Sequence, residues 1–240
     1  MENTLKVESN LSALLISSTN TDSGKTVLTS ALIAYWQQYC WTYKLGVCKP
    51  VQSGVGDREL YTKLFDLKQT PEQINPLWYQ TPIAPPLAAA LEGTRVDLAK
   101  AWKTVAQLQA ERDWVLIEGA GGLGSPVTAE LTVADIATQW RLPTVLVVPV
   151  KLGSIADSVA SVALANQKRV QLLGIVLSCT EPCTQAQLES WAPVRMIEQL
   201  TQAPVLGVLP YLRQVRDLSA LSDAAAQLDL EQIMPQAFWA

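Results

Sequence analysis

A single α/β domain, built on one mostly parallel central sheet with helices on both faces, is predicted by three observations. Short apolar runs alternate with helical patterns, the runs are apolar at nearly every position, and the 240-residue chain is 49% hydrophobic. Alternating strands and helices favour crossover connections and parallel pairing. Unbroken apolar runs are what strands need when both their faces are covered. A chain of this length buries a sizeable core, commonly in one domain.

The runs that read as strands are residues 13–18, 45–49, 114–118, 144–150, 172–178 and 205–208. Helical patterns follow at 25–39, 58–65, 97–110, 132–140, 155–167 and 193–200, with short pieces around Ala88 and Ala220. Between residues 70 and 86 stand Pro71, Pro76, Pro82, Pro85 and Pro86, which break any long helix. The strand rhythm resumes beyond them, so this stretch reads as a surface excursion and not as a linker between domains.

The net charge of −4 argues against a surface built for nucleic acid or an anionic membrane. Histidine is absent, which excludes histidine-based triads, imidazole acid/base chemistry and histidine metal ligands. Chemistry must come from lysines, carboxylates, hydroxyls, backbone amides or a bound metal. Cys40, Cys48, Cys179 and Cys183 lack CxxC spacing and read as structural or incidental thiols. The opening MENTLKVESN is polar, and no apolar run reaches the roughly 18 residues of a spanning helix, so a soluble, cytoplasmic protein is expected.

In open parallel sheets, ligands sit beyond the carboxyl ends of the strands, so residues ending each strand are the candidates. The first strand runs into STNTDSGKT, residues 18–26, and then into the apolar helix VLTSALIAYW. Strand, Gly-Lys-Thr loop and helix in this order make a P-loop, whose amides and positive helix end wrap phosphates. Lys25 then neutralises the outer phosphates and the Thr26 hydroxyl ligates Mg²⁺. The loop is a variant: Ser18 stands where an opening glycine is usual, with five residues between it and Gly24 where the common motif has four. Serine carries a Cβ, so Ser18 is expected to narrow the backbone angles open to the loop.

Two further strand ends carry charge. The second strand ends in CKPVQSG, with Lys49 at its carboxyl end; taken alone such a lysine reads as a solvated cap. Physically, a second ammonium near the transferred phosphoryl stabilises an anionic transition state. The strand WVLIE delivers Glu118 into GAGG, a stretch that lets a backbone lie close to a ligand. Asp57 precedes the pattern RELYTKLF, where capping of that helix is its simplest role, compatible with binding a metal.

STNTDSGKT, KPVQSG and EGAGG, in that order, resemble the GTDTxVGKT, KPVxSG and EGAGG signatures of dethiobiotin synthetases, and the resemblance extends from residue 14 to about 211. It implies catalytic roles for Lys49 and Lys25, and Mg²⁺ held by Thr26, Asp57 and Glu118. It implies nucleotide contacts from Asp22, Ser23, Gly24, Lys25, Thr26 and Val27, from Asp57, and from Glu118, Gly119, Ala120 and Gly121. Thr21 and Ser53 become substrate contacts. The implied reaction closes a ureido ring from 7,8-diaminononanoate and CO₂ or bicarbonate at the expense of ATP, through a carbamate and its phosphoric anhydride. Those substrates supply their own nucleophiles, so the missing imidazole fits.

VKLGSIAD, starting at Val150, resembles the family's VKLGxIxx segment; its helix-start amides at Gly153 and Ser154 suit a substrate carboxylate. In the family this helix comes from the neighbouring subunit, which implies a homodimer. Capping by Ser154 is the plainer reading. Ser178 stands where the family carries an adenine-reading Asn, with Cys179 next to it, and Val208, Leu209 and Pro210 resemble the LGxxP base loop. A preference that admits CTP or GTP beside ATP is the consequence.

Two rivals share these features. A ParA/MinD-like switch ATPase has a related deviant loop, but residues 18–20 lack its extra lysine and the QIMPQAFWA end lacks a basic amphipathic helix. The other is an amidotransferase-type ligase domain, whose glutaminase partner would need a catalytic Cys and His where this chain has no His, or a nonenzymatic nucleotide-binding module.

Overall fold

The computed structural model describes residues 12–235; the polar opening stretch and the last part of QIMPQAFWA lie outside the described residues. Strand β1 (Ala13–Ser18) leads into helix α1 (Lys25–Tyr39). There follow β2 (Leu45–Cys48), β3 (Val51–Ser53), α2 (Asp57–Leu64), α3 (Pro71–Ile74), β4 (Leu77–Tyr79), α4 (Pro85–Leu91) and α5 (Leu98–Glu111). The chain continues through β5 (Trp114–Glu118), α6 (Val133–Gln139), β6 (Thr144–Pro149), α7 (Ser154–Lys168), β7 (Leu172–Ser178) and α8 (Gln185–Trp191). It closes with α9 (Val194–Thr201), β8 (Val205–Leu209), α10 (Leu218–Ala225) and α11 (Leu230–Ile233).

Six strands form one sheet in the order β2-β5-β1-β6-β7-β8, with every neighbouring pair parallel. Alternate residues of each strand feed opposite faces. Ala13, Leu15, Leu146, Val148, Ile175 and Leu177 pack into a core shared with α5, α6 and α7. Leu14, Ile16, Val145, Val147 and Val176 pack into a second core with α1, α10 and α11. Both faces are therefore dry, which is why the strands read as unbroken apolar runs. From β1 the chain first builds β2 and β5 on one side, then β6, β7 and β8 on the other. The carboxyl end of β1 is thus a topological switch point, where such sheets open a crevice.

The element boundaries deviate from the sequence expectation by a residue or two, as fraying and capping dictate. The larger difference is the proline-rich stretch, which is no mere surface excursion. Pro71 sits at the start of α3, and Pro85 and Pro86 open α4, where a missing N–H costs nothing and the fixed φ suits the first turn. Between them β4 pairs in parallel with β3 as a second, two-stranded sheet. Ile74, Asn75, Leu77 and Tyr79 are buried. Helix α8 was not foreseen; Thr184 caps it by accepting from the Gln187 amide.

The same stretch seals the open edge of β2, which has only β5 as a sheet neighbour. The Gln69 amide substitutes for a strand: its Oε1 accepts from Val47 N at 2.8 Å and its Nε2 donates to Val47 O at 2.9 Å. One step along, Lys49 N donates to Ile74 O at 2.7 Å, and Asn75 Nδ2 donates to Lys49 O at 2.7 Å. An exposed strand edge is a site of fraying and misassociation; here it is covered, and the backbone of Lys49 is fixed from both sides. Gln69→Ala is expected to lower the unfolding free energy by about 1–2 kcal/mol for the two lost bonds, measured as a fall in the denaturant midpoint with unchanged m-value.

Candidate functional site

At the carboxyl end of β1 the loop folds back over itself. Gly24, which precedes α1, has φ 93°, and a Cβ there would stand 2.2 Å from Ser178 Oγ at the end of β7, so only glycine fits. The loop behind it is held by hydroxyls. Ser18 Oγ donates to Asn20 O at 2.6 Å and accepts from Lys25 Nζ at 3.0 Å, while Ser23 Oγ donates to Asn20 O at 2.8 Å. Ser18 lies within β1 and has no positive φ. Its Cβ therefore sits on an extended backbone that any residue adopts; the left-handed residues of the loop are Asp22, at φ 55°, and Gly24.

The glycine-rich turn after β5 lies directly against this loop. Gly119 N donates to Ile16 O at 3.0 Å and Leu123 N to Ser18 O at 2.7 Å. A Cβ on Gly122 would meet Thr19 O at 2.5 Å, so the two backbones are in contact only because no side chain intervenes.

Glu118, at the end of β5, has no solvent exposure, and its two oxygens face different ways. Oε1 accepts from Lys49 Nζ at 2.8 Å and lies 3.0 Å from the Thr26 hydroxyl. Oε2 accepts from the Tyr61 phenol and, at 3.1 Å, from Thr29 Oγ1. Lys49 Nζ also ion-pairs with Asp57, whose other oxygen lies 3.0 Å from Thr26 Oγ1. Asp57 is the first residue of α2 and Gly56 precedes it as the cap. The capping role read for Asp57 is thus corrected, because its carboxylate points back to Lys49 and Thr26.

Burial and charge pull these groups apart. Burial opposes the charge on Glu118, but the Lys49 charge and the bonds from Lys49 and Tyr61 outweigh it and hold the carboxyl below its ordinary value. Burial likewise opposes the Lys49 ammonium, and Glu118 with Asp57 more than offsets it, so this pKa rises. Lys25 goes the other way: burial lowers it, against the pull of Glu118. Asp57 is raised by burial and by its neighbour Glu118. Glu118 and Lys49 therefore form the lasting ion pair, with Asp57 the more readily protonated carboxylate.

Two clefts meet at Lys49 and Asp57. The first, about 380 Å³, is lined by Thr21 to Val27, Lys49, Asp57, Glu118 and Gly121, and beyond them by Ser178, Cys179, Thr180, Pro210, Tyr211, Leu212 and Val215. The second, about 490 Å³, shares Thr21, Asp22, Lys49, Asp57 and Gly121 with the first and runs on to Gln52, Ser53, Pro82, Ile83, Pro85, Ala120 and Ser125. Ser53 Oγ is buried there with no partner among the described residues. Three oxygens, from Thr26, Asp57 and Glu118, point to one place. Among the described residues no group of three or more His, Cys, Asp or Glu side chains is placed to hold a metal ion; a cation at these three oxygens would complete its shell with phosphate and water. That all-oxygen, partly borrowed shell suits Mg²⁺.

Some expected residues stand elsewhere. Gly119 lies beneath the loop and faces neither cleft, Leu209 is fully buried, and Val208 lines a separate hollow beside Cys179 and Pro210. Gly153 and Ser154 are outside both clefts. Ser154 is not the cap either: left-handed Gly153 takes that position, and the buried Ser154 hydroxyl bonds back to Pro149 O and Lys151 O at 2.6 Å. Thr29, Tyr61, Gln52, Thr180 and Tyr211 were missed. Thr29 follows Lys25 and Tyr61 follows Asp57 by one helical turn, a spacing that puts each pair on one face.

A family model described as an AAA domain matches residues 12–219. The chain is 54% identical over 225 residues to the ATP-dependent dethiobiotin synthetase BioD of Gloeothece citriformis (strain PCC 7424), covering 94% of this chain and 100% of that protein. It is 47% identical to the ATP-dependent dethiobiotin synthetase BioD of a Synechocystis strain, over 92% of this chain and 94% of that one. Among solved structures, the septum site-determining protein MinD of Pyrococcus horikoshii, in complex with Mg-ADP, aligns with TM-score 0.53 at 16% identity, over 94% of this chain and 92% of that chain. At that identity the likeness speaks for the fold alone.

Ser18→Gly, which restores the usual loop glycine, is expected to destabilise the protein by about 1–2 kcal/mol, since it removes the hydroxyl joining Lys25 to Asn20 and frees an unstrained backbone. Denaturant unfolding checks this, and a gain in stability would put the loop's strain at Ser18 instead of Asp22.

Proposed function

The chain belongs to the ATP-dependent dethiobiotin synthetase family, and we propose that its first cleft takes Mg·ATP while the second takes 7,8-diaminononanoate carbamylated by CO₂. It is a biotin-biosynthesis ligase that closes the ureido ring to give dethiobiotin, ADP and phosphate. The observation that carries this division is the place of Lys49: its ammonium stands where the two clefts meet, bonded to Glu118 and Asp57.

The loop amides and Lys25 cradle the phosphates, and Thr26, Asp57 and Glu118 hold Mg²⁺, which when bound offsets charge on the phosphate oxygens. Lys49 faces the carbamate. An oxygen of the carbamate attacks the γ-phosphorus and ADP leaves; the second amine then attacks the carbonyl carbon and phosphate leaves as the ring closes. Both nucleophiles belong to the substrate, so the protein's task is to align them and neutralise charge. The orphaned Ser53 hydroxyl supports a polar ligand in the second cleft. Cys179, Thr180, Pro210 and Tyr211 form the wall for the base. Ser178 is 2% exposed and packed on Gly24, so base reading falls to backbone groups, which supports tolerance of CTP or GTP.

On this reading the described residues, 12–235, form one domain, which works in the cytoplasm as a homodimer. Supporting the dimer, Leu152 is 83% exposed beside Gly153, whose helix start lies outside both clefts of its own chain. No helix among the described residues is long and apolar enough to cross a membrane.

Incubation with 7,8-diaminononanoate, bicarbonate, Mg²⁺ and ATP is expected to yield dethiobiotin with stoichiometric phosphate; phosphate release indifferent to the diamine would refute the ligase reading. Lys49→Ala should lower kcat by about 10²- to 10³-fold with nucleotide affinity little changed in the presence of Mg²⁺. Parallel loss of both, seen by calorimetry, would remove Lys49 from the substrate side.

A further inference from the structure

Tyr61 is a fully buried polar side chain bonded into this site that neither the loop motifs nor the substrates account for. It lies on α2 one turn after Asp57, so one face of this short helix delivers both an acid at the cleft and a phenol beneath it. The phenol is fully buried and donates to Glu118 Oε2, the oxygen turned away from Lys49. Thr29 donates to the same oxygen, but its hydroxyl is shared with Lys25 O at 2.9 Å. Tyr61 is thus the undivided donor to Oε2.

A carboxylate at the end of a strand turns about its terminal torsion, which is broad and nearly two-fold. Left to itself, Glu118 would offer either oxygen, or both, to a cation. With Oε2 engaged by a phenol from α2 and a hydroxyl from α1, only Oε1 is left facing Thr26 and Lys49. We propose that Tyr61 is a positioning residue, which with Thr29 fixes the rotation of Glu118 so that this carboxylate presents the single oxygen Oε1 to the nucleotide's divalent cation. The proposal rests on reading the first cleft as a metal–nucleotide site. Its consequence is a preference for a small cation taking one oxygen per carboxylate, the manner of Mg²⁺, over a larger one that accepts bidentate ligation. Bonds to the far oxygen of a metal-ligating carboxylate commonly govern metal affinity by 10- to 100-fold, on the order seen for such supporting groups.

The test uses the full-length protein and Tyr61→Phe, which keeps the ring and removes the donor. ADP affinity is measured by calorimetry with and without Mn²⁺, and free Mn²⁺ is followed by its paramagnetic resonance signal. The expected result is a fall of about tenfold in the Mn²⁺-dependent gain in ADP affinity, with metal-free ADP affinity unchanged. An unchanged gain, accompanied only by a lower unfolding midpoint, overturns the proposal and leaves Tyr61 as core packing. A wild-type protein whose ADP affinity ignores Mn²⁺ overturns the metal–nucleotide reading and this proposal together. If Tyr61→Phe does not fold, Thr29→Val removes the other donor to Oε2 and is read by the same ratio, with the same two outcomes.

Discussion

A carboxylate without solvent exposure survives in a protein interior only if every lone pair finds a donor and its charge finds a partner. Glu118 meets both conditions through Lys49, Thr26, Thr29 and Tyr61, which come from three separate stretches of chain. Their mutual satisfaction requires β5 to lie between β1 and β2, so that α1, Lys49 and α2 all reach the same strand end. The ion pair with Lys49 is not a cheap source of stability, since both groups lose their hydration. Its value is geometric: a satisfied buried network has one arrangement, and removing any member strands the others.

That arrangement explains why the fold spends so much structure around β2. Lys49 follows the last residue of an edge strand, the least constrained place in a sheet. Gln69, Ile74 and Asn75 bond the outer edge where a further strand would otherwise lie, and β3 with β4 carries the chain from Lys49 round to the wall of the second cleft. The proline-rich stretch is therefore part of the site's foundation. Pro71, Pro85 and Pro86 sit where a proline favours a helix, in the first turns of α3 and α4.

The opposite signs of the lysine shifts separate two jobs that the letters alone leave alike. Lys49 has two carboxylates within reach and keeps its proton firmly, suited to standing beside an anionic reactant. Lys25 is bonded to a hydroxyl and a carbonyl of its own loop, with its charge opposed by burial, so an incoming anion meets a cation that gains from pairing.

By itself the sequence determined the alternating architecture, the phosphate loop with Lys25 and the two strand ends that carry Lys49 and Glu118. These depend on local rules: apolar runs, a Gly-Lys-Thr turn into a helix, and charged residues where apolar strands stop. Ser154 was misread, and the bonds of Ser18 went unseen, because a hydroxyl's role depends on which backbone oxygen lies near, and capping is only the commonest of its uses. The places of Gln69, Asn75 and Tyr61 were decided by tertiary structure alone. Nothing in their neighbours along the chain marks Gln69 or Asn75, and the helical turn from Asp57 to Tyr61 names no partner, since the groups they satisfy are the edge of β2 and the far oxygen of Glu118, 22, 26 and 57 residues away. Such pairings exist only once the sheet order has brought those strand ends together.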